Sequence, residues 1–180
     1  MKINTLGPEM TDSYCAAKNL GVKNEEILLY DSFDAIIDNL WKMEGEYILI
    51  PAAYESVEKK YDWKDFNFDY WENLELVRVF HRKTKQMILI EHKNFKKDIA
   101  IIQPATNIML KKYLNEKNIE SEIRYEPSKI KAYQKFFSNK YRFTIISSDV
   151  VVGGTEQIIT RKVYNPEMVW CLYKVRGGIN

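Results

Sequence analysis

Histidine and cysteine are scarce in this chain, two residues of each among 180. His81 and His92 stand at no metal-ligand spacing with a cysteine or with each other, which argues against a Cys/His metal centre. Cys15 and Cys171 form no Cys-x-x-Cys pair and are expected as free, buried thiols in a reducing cytoplasm. Neither a metal nor a cofactor is implied. Glycine and proline, seven and five residues, are too few for a low-complexity or disordered chain. No apolar run reaches transmembrane length, and Met1-Lys2-Ile3-Asn4 lacks the apolar core of a signal peptide. A cytoplasmic protein with no membrane partner is therefore expected. Charge of one sign is missing too: 27 basic against 25 acidic side chains, net +2, give no reason to expect a nucleic-acid partner. Gly-x-Gly-x-x-Gly, Walker-type, Gly-x-Ser-x-Gly and His-Glu-x-x-His motifs do not occur. Gly153-Gly154 is an isolated pair, read as a turn rather than a phosphate cradle. No serine has a His–carboxylate pair nearby in sequence, so nucleophilic catalysis has no support.

What is present is an α/β pattern with enough apolar residues, 46%, for a substantial core. The chain is organised around Thr5-Leu6-Gly7-Pro8-Glu9-Met10-Thr11-Asp12-Ser13. A strand from Ile3 to Leu6 runs into a Gly-Pro turn. A helix starts at Thr11 to Ser13, all N-cap residue types, and stops at Gly21. Free N–H groups in such a first turn suit a carboxylate or phosphate, although an ordinary strand–turn–helix passage would carry the same residues. Glu26–Tyr30 reads as a second strand. Asp31-Ser32 then caps a helix with Phe33, Ile36, Ile37 and Leu40 on one face. Tyr47–Ile50 reads as a buried strand. Strand, helix, strand, helix, strand predicts a parallel core, in which ligands collect beyond the strands' carboxyl ends. The loop Pro51-Ala52-Ala53-Tyr54-Glu55-Ser56 should then lie near Gly7-Pro8.

Tyr61–Trp71 is crowded with aromatics of unclear period, compatible with a lid, a dimer contact or a covered loop. Leu74–Phe80 and Met87–Ile90 read as strands around a basic connector, His81-Arg82-Lys83-Thr84-Lys85. Strand alternation places Arg78 and Phe80 on one face and Val77 and Val79 on the other. A second α/β series follows. Its strands are Asp98–Ile102, Ile119–Tyr125 and Phe143–Ile146. Its helices are led by Thr106-Asn107, with Ile108, Leu110 and Leu114, and by Ser128, with Ile130, Tyr133, Phe136 and Phe137. Ile158–Tyr164 and Met168–Val175 close the chain as strands. Two lobes with a cleft between them are expected. The polar helix starts, together with Arg78, His81, Arg82 or Lys85, could hold a small anion, arginine being the better carboxylate clamp.

Thr5-Leu6-Gly7-Pro8-Glu9 with Thr11 resembles the Leu-Gly-Pro-x-Gly-Thr turn of prephenate dehydratase catalytic domains. Ser32-Phe33-Asp34 and Ile50-Pro51-Ala52-Ala53-Tyr54-Glu55-Ser56 stand where that family has a helix start and its Pro-Ile-Glu-Asn-Ser loop. Gln103-Pro104-Ala105 is similar to its His-Pro-Gln-Ala turn. Asn4–Glu9, Ala16-Ala17-Lys18-Asn19, Pro51-x-Ala53-Tyr54 and Met168-x-Trp170-x-Leu172 resemble more closely the cofactor-free prephenate decarboxylases of the bacilysin type. The resemblance covers nearly the whole chain.

The resemblance implies a two-lobe α/β fold similar to type 2 periplasmic binding proteins. Lobe one would be residues 1–82 with 165–180, and lobe two 83–164, with a small-molecule dicarboxylate such as prephenate in the cleft. It implies a cofactor-independent, non-aromatising decarboxylase of antibiotic biosynthesis, and a homodimer is possible by the same resemblance. Substrate would meet Thr5, Gly7, Pro8, Thr11, Ser13, Pro51, Ala53, Tyr54, His81, Arg82, Thr106 and Ser147. Thr11 and Ser13, with Arg82 or His81, would bind carboxylate, while Tyr54 and Ser147 would position the ring. No catalytic group is assigned. Dehydratases carry a Thr-Arg-Phe motif whose threonine serves loss of the ring hydroxyl; Tyr141-Arg142-Phe143 looks similar but lacks that threonine, which disfavours dehydration. Met10 in place of glycine, Ala52 and Ala53 in place of the Glu-Asn pair, and Gln103 in place of histidine depart from the pattern. Two alternatives follow: a non-catalytic carboxylate-binding or sensing module, and a prephenate dehydratase.

Overall fold

The computed structural model describes residues 1–150 and 155–178, so Gly153-Gly154 lies outside the described residues. In chain order the first elements are β1 (Ile3–Leu6), α1 (Asp12–Lys18), β2 (Ile27–Tyr30), α2 (Phe33–Ile37), β3 (Tyr47–Pro51), α3 (Trp63–Asp69) and β4 (Leu74–Lys83). Then come β5 (Met87–His92), β6 (Lys97–Ile102), α4 (Asn107–Lys117), β7 (Glu122–Tyr125), α5 (Lys129–Asn139), β8 (Tyr141–Ser147), β9 (Ile158–Tyr164) and β10 (Glu167–Val175). The chain divides into two compact units, Met1–Lys83 with Glu167–Asn180, and Thr84–Pro166.

The first unit is a five-stranded sheet in the order β2-β1-β3-β10-β4. β1, β2 and β3 run parallel, and β10 pairs antiparallel with both β3 and β4. Short apolar strands joined by capped helices produce this arrangement, because each crossover helix covers one face of the sheet. Thr11 caps α1 by accepting from Tyr14 N–H, and Ser32 caps α2 by accepting from Ala35 N–H. Both faces are buried over β1, β3 and the second half of β10. Leu6, Ile36, Leu40, Ile48, Ile50, Phe66 and Tyr173 pack on one side, and Ile3, Tyr14, Ala16, Ala17, Leu49, Trp170 and Leu172 on the other. Ile50, fully buried, contributes about 1.5–3 kcal/mol by leaving water.

Three expectations need correction here. The aromatic stretch after Tyr61 is not a loop but contains α3, started by a capping box in which Asp62 accepts from Asp65 N–H and Asp65 accepts from Asp62 N–H. Phe66 enters the core with Tyr61, Trp63 and Tyr70 against it, while Phe68 and Trp71 point to water. His81, Arg82 and Lys83 are not a connector: they continue β4, paired with Val169, Met168 and Glu167. Cys15 is only half-buried, whereas Cys171 is buried.

The second unit has the strand order β7-β6-β8-β5-β9. β6 is parallel to β7 and β8, and β5 is antiparallel to β8 and β9. α4 lays Leu110, Tyr113 and Leu114 on one face. α5 lays Ala132 and Phe136 on the other. Ile108, in the first turn of α4, is exposed, and the helix begins with Asn107 after a 3-10 turn over Pro104–Thr106. A charged cluster crosses the sheet away from the strands' carboxyl ends. Buried Glu91 accepts from Arg142 Nε at 2.7 Å and Arg161 Nε at 2.6 Å, and Arg142 Nη1 donates to Asp98 at 2.8 Å. Each buried charge is thereby paired, the condition for keeping it charged in a low-dielectric site.

Candidate functional site

In the first unit the register brings the sequence-selected segments to one rim. Leu6 faces Tyr30, and Gly7 N–H donates to the Tyr30 carbonyl at 2.8 Å. Ile3 and Asn4 face Tyr47 and Ile48, a register that carries Gly7 to the level of Pro51. Trp170 of β10 faces both Pro51 and Phe80. The Gly7-Pro8 turn, the start of α2, the Pro51 loop and the end of β4 therefore share the carboxyl rim of the sheet, where open α/β sheets bind ligands. Gly7 is needed there because a Cβ would stand 3.0 Å from Leu29 Cβ.

The individual side chains differ in what they can still offer. Thr5 is fully buried and donates its hydroxyl to the Leu49 carbonyl at 2.8 Å, a tie between β1 and β3. The second unit repeats the device: Thr144 on β8 donates to the Ile101 carbonyl of β6 at 2.7 Å. Thr11 is engaged twice, donating to the Leu6 carbonyl at 2.8 Å and accepting from Tyr14 N–H. Ser13 is buried in the first turn of α1, and Met10 is exposed. Pro51 ends β3, and Ala52 N–H donates to the Val169 carbonyl at 2.9 Å. Ala53 is half-buried.

Tyr54 is 4% exposed. Its hydroxyl donates to Asp34 Oδ1 at 2.8 Å, and its ring meets Phe33 edge-on at 5.5 Å. Burial, followed by the Asp34 hydrogen bond, pushes the phenol pKa far up, so Tyr54 stays a neutral donor. Asp34 is the partner that sequence reasoning missed. Its only signal was an acidic residue in the first turn behind the Ser32 cap. One turn on, Asp38 accepts from Lys59 Nζ at 3.0 Å, so α2 holds the post-β3 loop at two points.

His81 is exposed and its Nδ1 lies 3.1 Å from Glu167 Oε2. Arg82 is half-buried and donates through Nη1 to the Cys15 carbonyl at 2.6 Å. Among the described residues no carboxylate pairs with it, so the other guanidinium donors remain available. An unpaired, half-buried arginine at a sheet rim suits a carboxylate ligand.

In the second unit, Thr106 follows the carboxyl end of β6 and Ser147 is the last residue of the neighbouring strand β8. Both are buried. Thr106 Oγ1 donates to the Gln103 carbonyl at 2.8 Å within its own turn, and Ser147 faces Met87 across the β5–β8 pair. Tyr141-Arg142-Phe143 lies at the opposite end of β8, with Arg142 held by Glu91 and Asp98. Among the described residues no group of three or more His, Cys, Asp or Glu side chains could hold a metal, and no helix is long and apolar enough to cross a membrane.

No family model matches the chain. It is 29% identical over 136 residues to a protein from Bacillus amyloliquefaciens named prephenate decarboxylase, a match covering 67% of this chain and 62% of that protein. A prephenate decarboxylase from Bacillus subtilis (strain 168) is 28% identical over 134 residues with the same coverages. The match thus spans less than two thirds of these relatives' length. Among solved structures, prephenate dehydratase from Arthrobacter aurescens in complex with L-Phe superposes with a TM-score of 0.61 at 11% identity, covering 100% of this chain and 61% of that one. The periplasmic binding protein BugD gives a TM-score of 0.59 at 8% identity, with 100% and 77% covered. By sequence the chain is similar to prephenate decarboxylases of Bacillus, and its two-lobe α/β fold is like that of prephenate dehydratases and periplasmic binding proteins.

Proposed function

We propose that this protein is a prephenate decarboxylase-like carboxy-lyase that leaves the ring non-aromatic. The observation that carries the reading is the 29% identity over 136 residues to a protein of that name. The rim of the first unit supports it, since Arg82 stands there half-buried with no carboxylate partner among the described residues, the state in which an arginine suits a carboxylate ligand.

The chemistry places modest demands on the protein. The bond from C1 of the ring to its carboxylate breaks and CO2 leaves. The electron pair forms a C1–C2 double bond, and the former C2–C3 pair takes a proton at C3. One CO2 is lost, one proton is gained, and the C4 hydroxyl stays. The ring diene accepts the electrons, so this route needs no cofactor to act as a sink. The protein must pin the pyruvyl carboxylate, hold the ring, and place the departing carboxylate where water solvates it poorly. In this reading Arg82 takes the pinned carboxylate. Ser13 and the Gly7-Pro8 turn border it, and Tyr54 orders the Pro51–Ala53 backbone through Asp34 rather than touching the ring.

Dehydration has less support. It would require an acid to expel the C4 hydroxyl, and Tyr141-Arg142-Phe143, which looks like the dehydratase motif, lies away from the carboxyl rim with its arginine engaged. A carboxylate sensor on the same fold is the second reading, favoured by Ala52 and Ala53, which put no polar side chain in the rim loop. Incubation with prephenate, followed by 13C and 1H NMR, separates the three. CO2 with a dihydro-4-hydroxyphenylpyruvate is the expected result. Phenylpyruvate would identify a dehydratase, binding without turnover a sensor, and neither binding nor turnover would remove all three.

A further inference from the structure

We infer that the outer edge of β4 is a docking strand for an acidic, extended peptide segment of another protein. The reasoning is independent of the proposed activity. β4 is ten residues long and ends the sheet order of the first unit, so among the described residues its outer side has no strand beside it. It is also uncovered on both faces: every residue from Glu75 to Val79 is exposed. Leu76 and Val79, paired with Tyr173 and Cys171, stand on the α3 side of the sheet and are 48% and 54% exposed. α3 covers β10, where Trp63 and Asn67 both hydrogen-bond the Tyr173 hydroxyl, but leaves β4 bare. On the opposite face Arg78 and Phe80 are paired with Leu172 and Trp170, and the Arg78 guanidinium stacks over the Phe80 ring at 5.5 Å.

A long, bare edge strand is a template for strand addition. Charge selects the occupant. Leaving aside Arg82, which is half-buried and held by the Cys15 carbonyl, β4 carries Glu75 against Arg78 and Lys83, and Glu75 is already matched by Arg176 at 3.5 Å. Arg78 and Lys83 are exposed, and among the described residues neither has a carboxylate in ion-pair reach. A second copy would set one basic strand against another, which like-charge contact disfavours. An acidic strand meets no such penalty. The side-chain period of two further specifies it: acids on one face to meet Arg78, and aliphatic residues on the other to cover Leu76 and Val79.

The test is titration of the whole protein with a fluorescein-labelled peptide, capped at both ends, in which glutamate alternates with valine over the length of β4. A glutamine-for-glutamate peptide serves as control, and hydrogen–deuterium exchange is read by mass spectrometry. The expected result is saturable binding that weakens with salt, protection of the β4 amides, and loss of about tenfold or more in affinity for the glutamine peptide and for Arg78→Glu. Circular dichroism establishes that the variant is folded; if it is not, the two peptides compared on the unaltered protein decide. Absence of binding would overturn the inference, as would equal affinity for the glutamine peptide or binding without β4 protection. A concentration-dependent dimer in sedimentation, with β4 protected in the free protein, would overturn it in favour of a second copy.

Discussion

Arg82 ties the end of β4 to α1. Its Nη1 donor completes the carbonyl of Cys15 near the carboxyl end of α1, where a cation also complements the helix dipole. No carboxylate pairs with its other donors among the described residues. Asn19 Nδ2 donates to the same carbonyl, so that carbonyl keeps a partner if the arginine is lost. Arg82→Gln is therefore expected to lower thermal stability only slightly. It should raise the KM for prephenate about tenfold to a hundredfold, the worth of a lost charge-assisted bond. Steady-state kinetics beside a melting curve reads both. A large fall in Tm with unchanged KM would make Arg82 purely a helix-end residue.

His92 offers a second test at this scale. It is 2% exposed between Phe136 and Phe137, and its Nδ1 accepts from Asn94 N–H at 3.0 Å, which assigns the proton to Nε2. Burial, and then the nearby Lys140, hold its pKa below the ordinary 6.5. The sign follows from linkage: below that value the unfolded chain binds a proton that the folded chain refuses. The stabilising contribution is complete above pH 6.5 and is lost as pH falls from there through the folded-state pKa. Melting temperatures should drop over that acid range more steeply for the natural protein than for His92→Leu; equal slopes would show that His92 does not set the dependence.

Among the elements, α2 is the one whose role exceeds its five residues. Its Asp34 and Asp38, on one face at helical spacing, hold Tyr54 and Lys59 of the loop after β3. The two sides of the Tyr54–Asp34 bond are not equivalent. Asp34→Ala would take the acceptor from a buried phenol and leave it only the Ser56 side chain, and a loss of about 1–3 kcal/mol in urea unfolding is expected. Tyr54→Phe leaves only a half-buried carboxylate that water can reach, and a loss of about 1 kcal/mol is expected. If the tyrosine change proved the costlier, the hydroxyl would have to serve something besides Asp34.

Local pattern made much of this scale readable. The Gly7-Pro8 turn, the Thr11, Ser32 and Ser128 caps and the core-facing residues of α2 follow from rules that act over a few residues. α3 was hidden because aromatics at 61, 63, 66, 68, 70 and 71 fit neither period of two nor of 3.6, while the Asp62–Asp65 capping spacing that starts it is short and easily passed over. The charged end of β4 read as a connector because the β10 backbone that pairs with it comes more than eighty residues later. The engagement of Thr5 and Tyr54 was not legible, since their partners Leu49 and Asp34 are fixed by tertiary packing.

At the scale of the molecule, the two units differ in how the chain builds them. Thr84–Pro166 is continuous and has its own two-sided core. The first unit is discontinuous, and its sheet is completed by β10 between β3 and β4. A fragment of residues 84–166 is accordingly expected to fold alone, with a cooperative melt and dispersed amide NMR signals. Residues 1–83 without β10 should stay unfolded, because β4 would have no strand to pair with and Trp170, Leu172 and Tyr173 would be missing from both faces of the core. A molten 84–166 fragment would show instead that this unit depends on the first.

The insertion of β10 also dictates an order of events during translation. The ribosome emits β1 to β4 first, yet their sheet lacks its antiparallel centre until everything through Pro166 has been made. The segment that starts later can reach its final packing earlier, and the nascent first half must wait with β3 and β4 open. A holdase chaperone would be expected to engage that half longest, and slowing elongation after Pro166 should prolong the engagement.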